Sequence, residues 1–501
     1  MKRIRNIFLM VLGLTTCMSC QDWLDVDPKS EIKSDLMFES ESGFRDALDG
    51  VYILMRGTDL YGQEATWGFV DAIGQQYDVY SQSARYYQAS RYNYNQTSSV
   101  SDGIWAKSYK VVANINNMLE NIDKKQSIMT PTVYGIYKGE ALGLRAFLHF
   151  DLLRMFGWGD LENNPANLER LCIPYITEYS KGLSRQLKVG EILPLLERDL
   201  KAAIELLDVN DPYGQAPKYD DYYLPNDDKY FDKRESHFNY WAAVATLARV
   251  YMWYGKKAEA LELVNQFIDA GQFYWVSSYS VDSYYEKNRD ITFTPEHVFY
   301  LDFPKFFDQI KSFIDPTAND PNANASLIYH KQSRADKTFE STKGGNTDYR
   351  YRRQYNKVNQ YFDGWAIYKF WEVQDYAFGK RVPLIKKPEL YYMAAECLLA
   401  SGKAADRKEA IDLVNTVRYN RGISKSFDLP YTLESNQIQD EITKEYQKEF
   451  MCEGQLFYYY KRLGFKTIPY STKAGSDAVY VVPLPVNDVN LGGMEDYKKK
   501  N

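Results

Sequence analysis

One segment restricts the fold more than any other: YWAAVATLARVYMWYGKKAEALELVNQFI, residues 240–268. Leu247, Ala248 and Tyr251 lead into Gly255, and Ala260, Val264 and Phe267 follow it. Small residues at these offsets let two antiparallel helices approach closely, the pattern of a tetratricopeptide unit. A second copy, ELYYMAAECLLASGKAADRKEAIDLVNTVRYN, covers 389–420, with Ala394, Ala395 and Leu398 before Gly402 and Ala410, Val414 and Val417 after it. Two such units are too few for a free-standing solenoid, so a larger helical body is expected around them.

Further helical stripes support that body. In 104–122, Trp105, Val112, Ile115, Leu119 and Ile122 recur at three- and four-residue steps. The run 137–157 is a strong helix former stopped at Gly157, and 189–207 reads likewise, with Pro194 near its first turn or kinking it. The expected architecture is all-α: helix-pair units near 104–157, 189–208, 238–270 and 389–420 within one domain spanning 20–501. The stretch 271–386, rich in Asp, Asn, Pro, Gly and aromatics, lacks a sustained helical period and reads as a large loop-rich insertion carrying the ligand face. Similar polar, aromatic stretches cover 61–96 and 211–231.

The first residues read as an export leader: basic Lys2, Arg3 and Arg5, a short apolar run Ile7 to Leu14, then small residues. That run is too short to span a bilayer, which takes about 20 apolar residues. Cysteine at the cut suggests a lipoprotein signal over 1–19 with Cys20 as the lipid anchor, and Cys17 is its competitor. Acyl chains contribute roughly 0.8 kcal/mol per buried methylene, enough in combination to hold a folded domain at a membrane. The net charge is −6. Loss of the three leader cations brings it near −9, which argues against nucleic acid as the main partner. Cys172, Cys397 and Cys452 are odd in number and widely spaced, so buried thiols are expected rather than bridges.

These pieces, in order, resemble the SusD/RagB family of Bacteroidetes surface lipoproteins. CQDWLDVDP is similar to the family's opening, and KGEALGLRAFLHFDLLRMFG to its long Glu-Ala, Leu-Arg-Ala helix. VPLIKKPELYYMAAECLLASG resembles its Pro-Glu-Leu helix, and Asn415, Arg418, Arg421 and Gly422 its Asn-Arg-Arg-Gly ending. ITKEYQKEFMCEGQLFYYYKRLG resembles its Glu-Gly helix, and YVVPLP its near-terminal Pro-Leu-Pro. Tyr446 stands where arginine is usual, Tyr458 to Tyr460 replace the usual Asp-Leu, and Asn487-Asp488 lacks the usual glutamate. The resemblance implies four tetratricopeptide-like helix pairs with a loop-rich face. It also implies a location at the outer membrane, facing the exterior, and a SusC-like TonB-dependent barrel as partner. The ligand it implies is an oligosaccharide, or a peptide as in the RagB branch.

No nucleophile elbow, phosphate loop, zinc motif or pair of Cys-x-x-Cys motifs occurs, and His149, His237, His297 and His330 are scattered. No catalytic residue, metal or cofactor is therefore expected, and a lipid-anchored glycoside hydrolase is the least favoured reading. Capture needs flat rings that pack on sugar C–H faces, with amides and charges alongside. The 44 tyrosines offer many such rings. Trp67, Tyr86, Tyr87, Tyr361, Trp365 and Trp371 are the candidates, with Arg353, Asn356 and Asn359 as polar partners. The basic cluster Arg350, Arg352, Arg353 and Lys357 suits an acidic sugar or a peptide carboxylate, or else a solvated loop. Trp105, Trp241 and Trp253 stand on helical stripes and are expected in the core.

Overall fold

A computed structural model of the chain describes residues 34–79, 81–227, 229–314, 328–359, 362–372 and 376–496. Helices of eight residues or more carry the frame: α1 (Glu41–Met55), α2 (Tyr94–Ile122), α3 (Pro131–Phe156), α4 (Val189–Asn210), α5 (Tyr240–Trp253) and α6 (Lys257–Ala270). They continue as α7 (Phe306–Ile314), α8 (Gln332–Phe339), α9 (Lys387–Leu399), α10 (Ala404–Asn420) and α11 (Ser435–Glu449).

Local chemistry sets their starts. Ser40 Oγ accepts from Gly43 N at the head of α1, and Thr130 Oγ1 accepts from Val133 N before Pro131 opens α3. Asn239 Oδ1 caps α5 through Ala242 N at 3.0 Å. Each cap satisfies a donor that the first helical turn leaves orphaned.

The frame is a succession of neighbours: α2 packs on α3, α3 on α4, α4 on α5, α5 on α6, α6 on α9 and α9 on α10. The α3/α4 contact depends on a glycine face at four-residue spacing. A Cβ at Gly135 would stand 2.2 Å from Asn210 Nδ2, and one at Gly139 would stand 2.7 Å from Leu207 Cγ. The stretch near 189–208 is the single helix α4, lodged between α3 and α5, rather than a hairpin in its own right. Trp105, Trp241 and Trp253 are buried as their stripes require, and Cys172, Cys397 and Cys452 are buried free thiols.

The stretch 271–386 is more ordered than its composition suggests. Besides α7 and α8 it holds five strands: β1 (His297–Asp302), β2 (Tyr329–His330), β3 (Tyr355–Asn359), β4 (Phe362–Ile367) and β5 (Arg381–Lys386). Antiparallel β1 and β5 form one ladder, and β2-β4-β3 form a second sheet. The strands are short, and β1 meets β5 across some eighty intervening residues, beyond the reach of any local periodicity.

A buried lattice of charges fastens this insertion to α10 and α11. Arg350 reaches Asp348 (2.7 Å), Glu445 (2.8 Å) and Glu449 (2.9 Å). Arg421, just past α10, grips Glu296 and Glu449 at 2.5 and 2.9 Å. Lys386 at the end of β5 pairs with Glu449 and Glu453, and Lys369 pairs with Glu453. Burial opposes the charged form of Glu449, but Arg421, Lys386 and Arg350 outweigh it and hold the carboxyl well below its usual range. Arg350, expected in a solvent-facing basic cluster, is fully buried here: besides its neighbour Asp348, its acids Glu445 and Glu449 come from α11 and lie far away in sequence.

Candidate ligand-binding site

The insertion encloses a cavity of about 480 Å³ beside β3, within the usual range for small-ligand pockets. Three pieces of chain build it. The helix Tyr349–Arg353 and the start of β3 bring Arg352, Arg353, Tyr355 and Asn356. The segment leaving β4 brings Tyr368, Trp371 and Tyr376, and the turn before β1 brings Glu286, Arg289 and Ile291.

Hydrogen bonds under the cavity lock these pieces together. Gln354 donates to Ile291 O at 2.7 Å, Tyr368 N donates to Gln354 O at 2.7 Å, and Tyr376 Oη donates to Arg289 O at 2.6 Å. The indole of Trp371 stacks on Tyr368 with centroids 4.4 Å apart and planes within 11°, and meets Phe307 of α7 edge-on at 5.2 Å. A stacked pair fixed from one side is a rigid aromatic wall, which costs little entropy when a ligand docks.

The arginines are held differently from one another. Asp282 accepts from Arg352 Nη2 at 2.9 Å and from Arg353 Nη2 at 2.6 Å, so one carboxylate orients two guanidiniums. Arg289 spends only Nε, on Ser283 O at 2.9 Å. Its fork of two Nη groups meets no partner among the described residues, and a planar fork of this kind grips carboxylate or sulfate at two points. In the stretch of chain before it, Tyr279, Tyr284 and Tyr285 stand exposed, the last two edge-to-face at 5.2 Å.

Of the residues expected from the sequence, Arg353, Asn356 and Trp371 come together here. Trp67 does not. It is 0 % exposed, donates from Nε1 to Gly62 O at 2.9 Å and packs edge-on against Phe313. Tyr86 is also buried, accepting from Gln63 Nε2 at 2.8 Å beside Glu64. The stretch 61–96 is polar in composition, yet its turns fold the large rings inward and satisfy their polar atoms, so both residues belong to the core. Tyr87 is half-buried with the Arg91 guanidinium 5.3 Å from its centroid, and it does not line the cavity. Trp365 on β4 lies half-buried between Tyr351 and Tyr355, at 5.4 and 6.1 Å, behind the cavity wall. Asn359 pairs through its backbone with Phe362, and its side chain lies outside the described residues, as do Tyr361, Cys17 and Cys20.

Arg289, Tyr368 and Tyr376 were not legible as site residues. Only their setting in an Asp-, Asn- and aromatic-rich run hinted at them. His149, by contrast, is the packed residue its helix implies. Its Nε2 accepts from Ile176 N at 2.9 Å, its Nδ1 faces Arg145 O at 2.8 Å, and its ring stacks on Tyr175 at 4.0 Å.

With this geometry established, comparison with known proteins places the chain. One family model, described as starch-binding and associating with the outer membrane, matches residues 22–219, and the SusD family model matches 251–499. The chain belongs to the SusD/RagB family.

A SusD-like protein of Formosa agariphila is 27% identical over 177 residues, 34% of this chain and 33% of that relative, so the chain spans about a third of that relative's length. A SusD superfamily structure from Bacteroides thetaiotaomicron superposes with a TM-score of 0.68 at 19% identity, covering 91% of this chain and 99% of that one. A SusD-like carbohydrate-binding protein from Bacteroides vulgatus gives 0.69 at 16% identity, covering 92% and 98%. The mostly helical SusD fold is therefore common to all three, despite the divergence of their sequences.

Proposed function

We propose that this SusD/RagB protein is a lipid-anchored outer-membrane lipoprotein, facing the cell exterior, which captures an oligosaccharide carrying an acidic group and passes it to a SusC-like TonB-dependent barrel. The observation that carries the reading is the pairing, in one cavity, of a rigid Trp371–Tyr368 wall with the open guanidinium fork of Arg289. The flat wall suits the C–H face of a sugar ring. Arg289, Arg352 and Arg353 outnumber Glu286 among the described charged residues lining the cavity, which favours a carboxylate or sulfate substituent. The family description of starch binding at the outer membrane supports a glycan as the general ligand class. The leader and Cys20 support the tether, and the family supports the barrel partner.

Calorimetry of the purified chain against neutral glycans, uronate- or sulfate-bearing glycans and peptides tests the ligand. Saturable heat is expected with an acidic glycan, weakened roughly 10- to 100-fold by Trp371→Ala, as for a central aromatic anchor. Heat from peptides alone would transfer the site to the RagB-like reading, and steady release of cleaved sugar would make the protein a hydrolase.

A further inference from the structure

A second, much smaller cavity lies deep in the helical frame, away from the insertion. It has room of about 40 Å³ and is bounded by α3, α5, α9, α11 and the helix Leu456–Arg462. Since about 10–15 Å³ of such space admits one water, it holds a body or two of that size. Its lining includes Arg154, Arg249, Trp253, Glu389, Gln455 and Arg462.

The polar groups in this lining are unequally matched. Both Glu389 oxygens already accept from Arg249, at 2.7 and 2.5 Å, and Gln455 Oε1 accepts from Arg154 Nη1 at 2.9 Å. The donors are not used up in the same way. Arg249 Nη1, Arg154 Nε and Trp253 Nε1 are buried and meet no acceptor among the described residues. Their residues are 5 %, 5 % and 2 % exposed. Since Nη1 carries two hydrogens, four N–H bonds are left over on one small cavity. Three guanidiniums line it, each held by a carboxylate: Arg249 by Glu389, Arg462 by Glu396 and Arg154 by Asp151.

Buried donors call for an acceptor. A site with hydrogens left over and little volume selects an acceptor that brings no hydrogens of its own. We propose that this cavity is a site for a small monatomic anion of the chloride class, which joins α3, α5 and α9 to the C-terminal helices. The site is independent of the glycan-binding reading.

The test uses the full chain at constant ionic strength. Replacing gluconate by 200 mM chloride or bromide raises the melting temperature by roughly 2 °C, because a ligand that binds only the folded state stabilises it by mass action. Trp253→Phe, which removes one donor and keeps most of the ring packing, reduces that rise by half or more. Crystals of the unaltered chain soaked in bromide show an anomalous peak within hydrogen-bond distance of Arg249 Nη1 and Trp253 Nε1. Equal melting temperatures in gluconate and chloride, an undiminished rise in Trp253→Phe, or ordered water alone in the bromide-soaked cavity would each overturn the assignment.

Discussion

Arg350 and Arg353 stand three residues apart on one short helix, yet they belong to opposite kinds of environment. Arg350 is sealed among Asp348, Glu445 and Glu449. Arg353 shares the half-exposed Asp282 with Arg352 and borders an open cavity. In the lattice, every base is paired with buried acids, so its role is to fix one arrangement of insertion and frame. In the cavity, the arginines are only partly compensated and accessible to solvent, which leaves them available to a visiting anion. The same residue type is thus buried and fully paired at the start of the helix and partly exposed beside the cavity at its end.

The sharpest way to break this contrast is Arg350→Ala. Removing the guanidinium strands buried carboxylates, which typically costs about 3–5 kcal/mol. Chemical unfolding reads it directly, and a loss under about 1 kcal/mol would mean that the lattice is slack.

A smaller effect comes from acid. His297, buried where β1 meets Lys386 of β5, has its ring pushed down to about 3, chiefly by burial and further by the charges of Lys386, Arg381 and Lys369. The unfolded chain therefore binds a proton below the ordinary histidine value that the folded chain refuses, and stability falls as pH drops from 7 towards 3. That difference is about 2 kcal/mol between pH 7 and pH 5. The stability gap between the unaltered chain and His297→Gln narrows by that amount over the interval, and a constant gap would show that the interior takes up the proton freely.

The least effect is expected from Arg352→Ala. An exposed ion pair contributes about 0–1 kcal/mol, so unfolding barely moves while affinity for an acidic glycan falls and loses part of its salt dependence. A loss of stability comparable with that of Arg350→Ala would erase the distinction between the two environments.

What the sequence disclosed follows the same division. The α5/α6 and α9/α10 hairpins were legible because their small residues recur within a few turns, where local spacing carries the information. The lattice was not, because Glu296, Arg350, Lys386, Arg421 and Glu449 meet only after folding. Loop-like composition around Trp67 gave no sign that its turns close on themselves and draw the indole inside. In the cavity, Trp371, Arg353 and Asn356 could be nominated as a ring, a charge and an amide on a polar stretch. Arg289 could not, since its significance lies in two unclaimed Nη groups, which only the positions of its neighbours show.

The β1–β5 ladder has a consequence for how far the insertion depends on its own sequence. The chain leaves at Asp302 and returns at Arg381 through paired positions, so everything between is a cassette with fixed endpoints. A different sequence between those endpoints would leave the scaffold unchanged only if it brought counterparts of Arg350 and Lys369 to dock on α11 and the turn beyond it, and of Arg334 to meet Asp78.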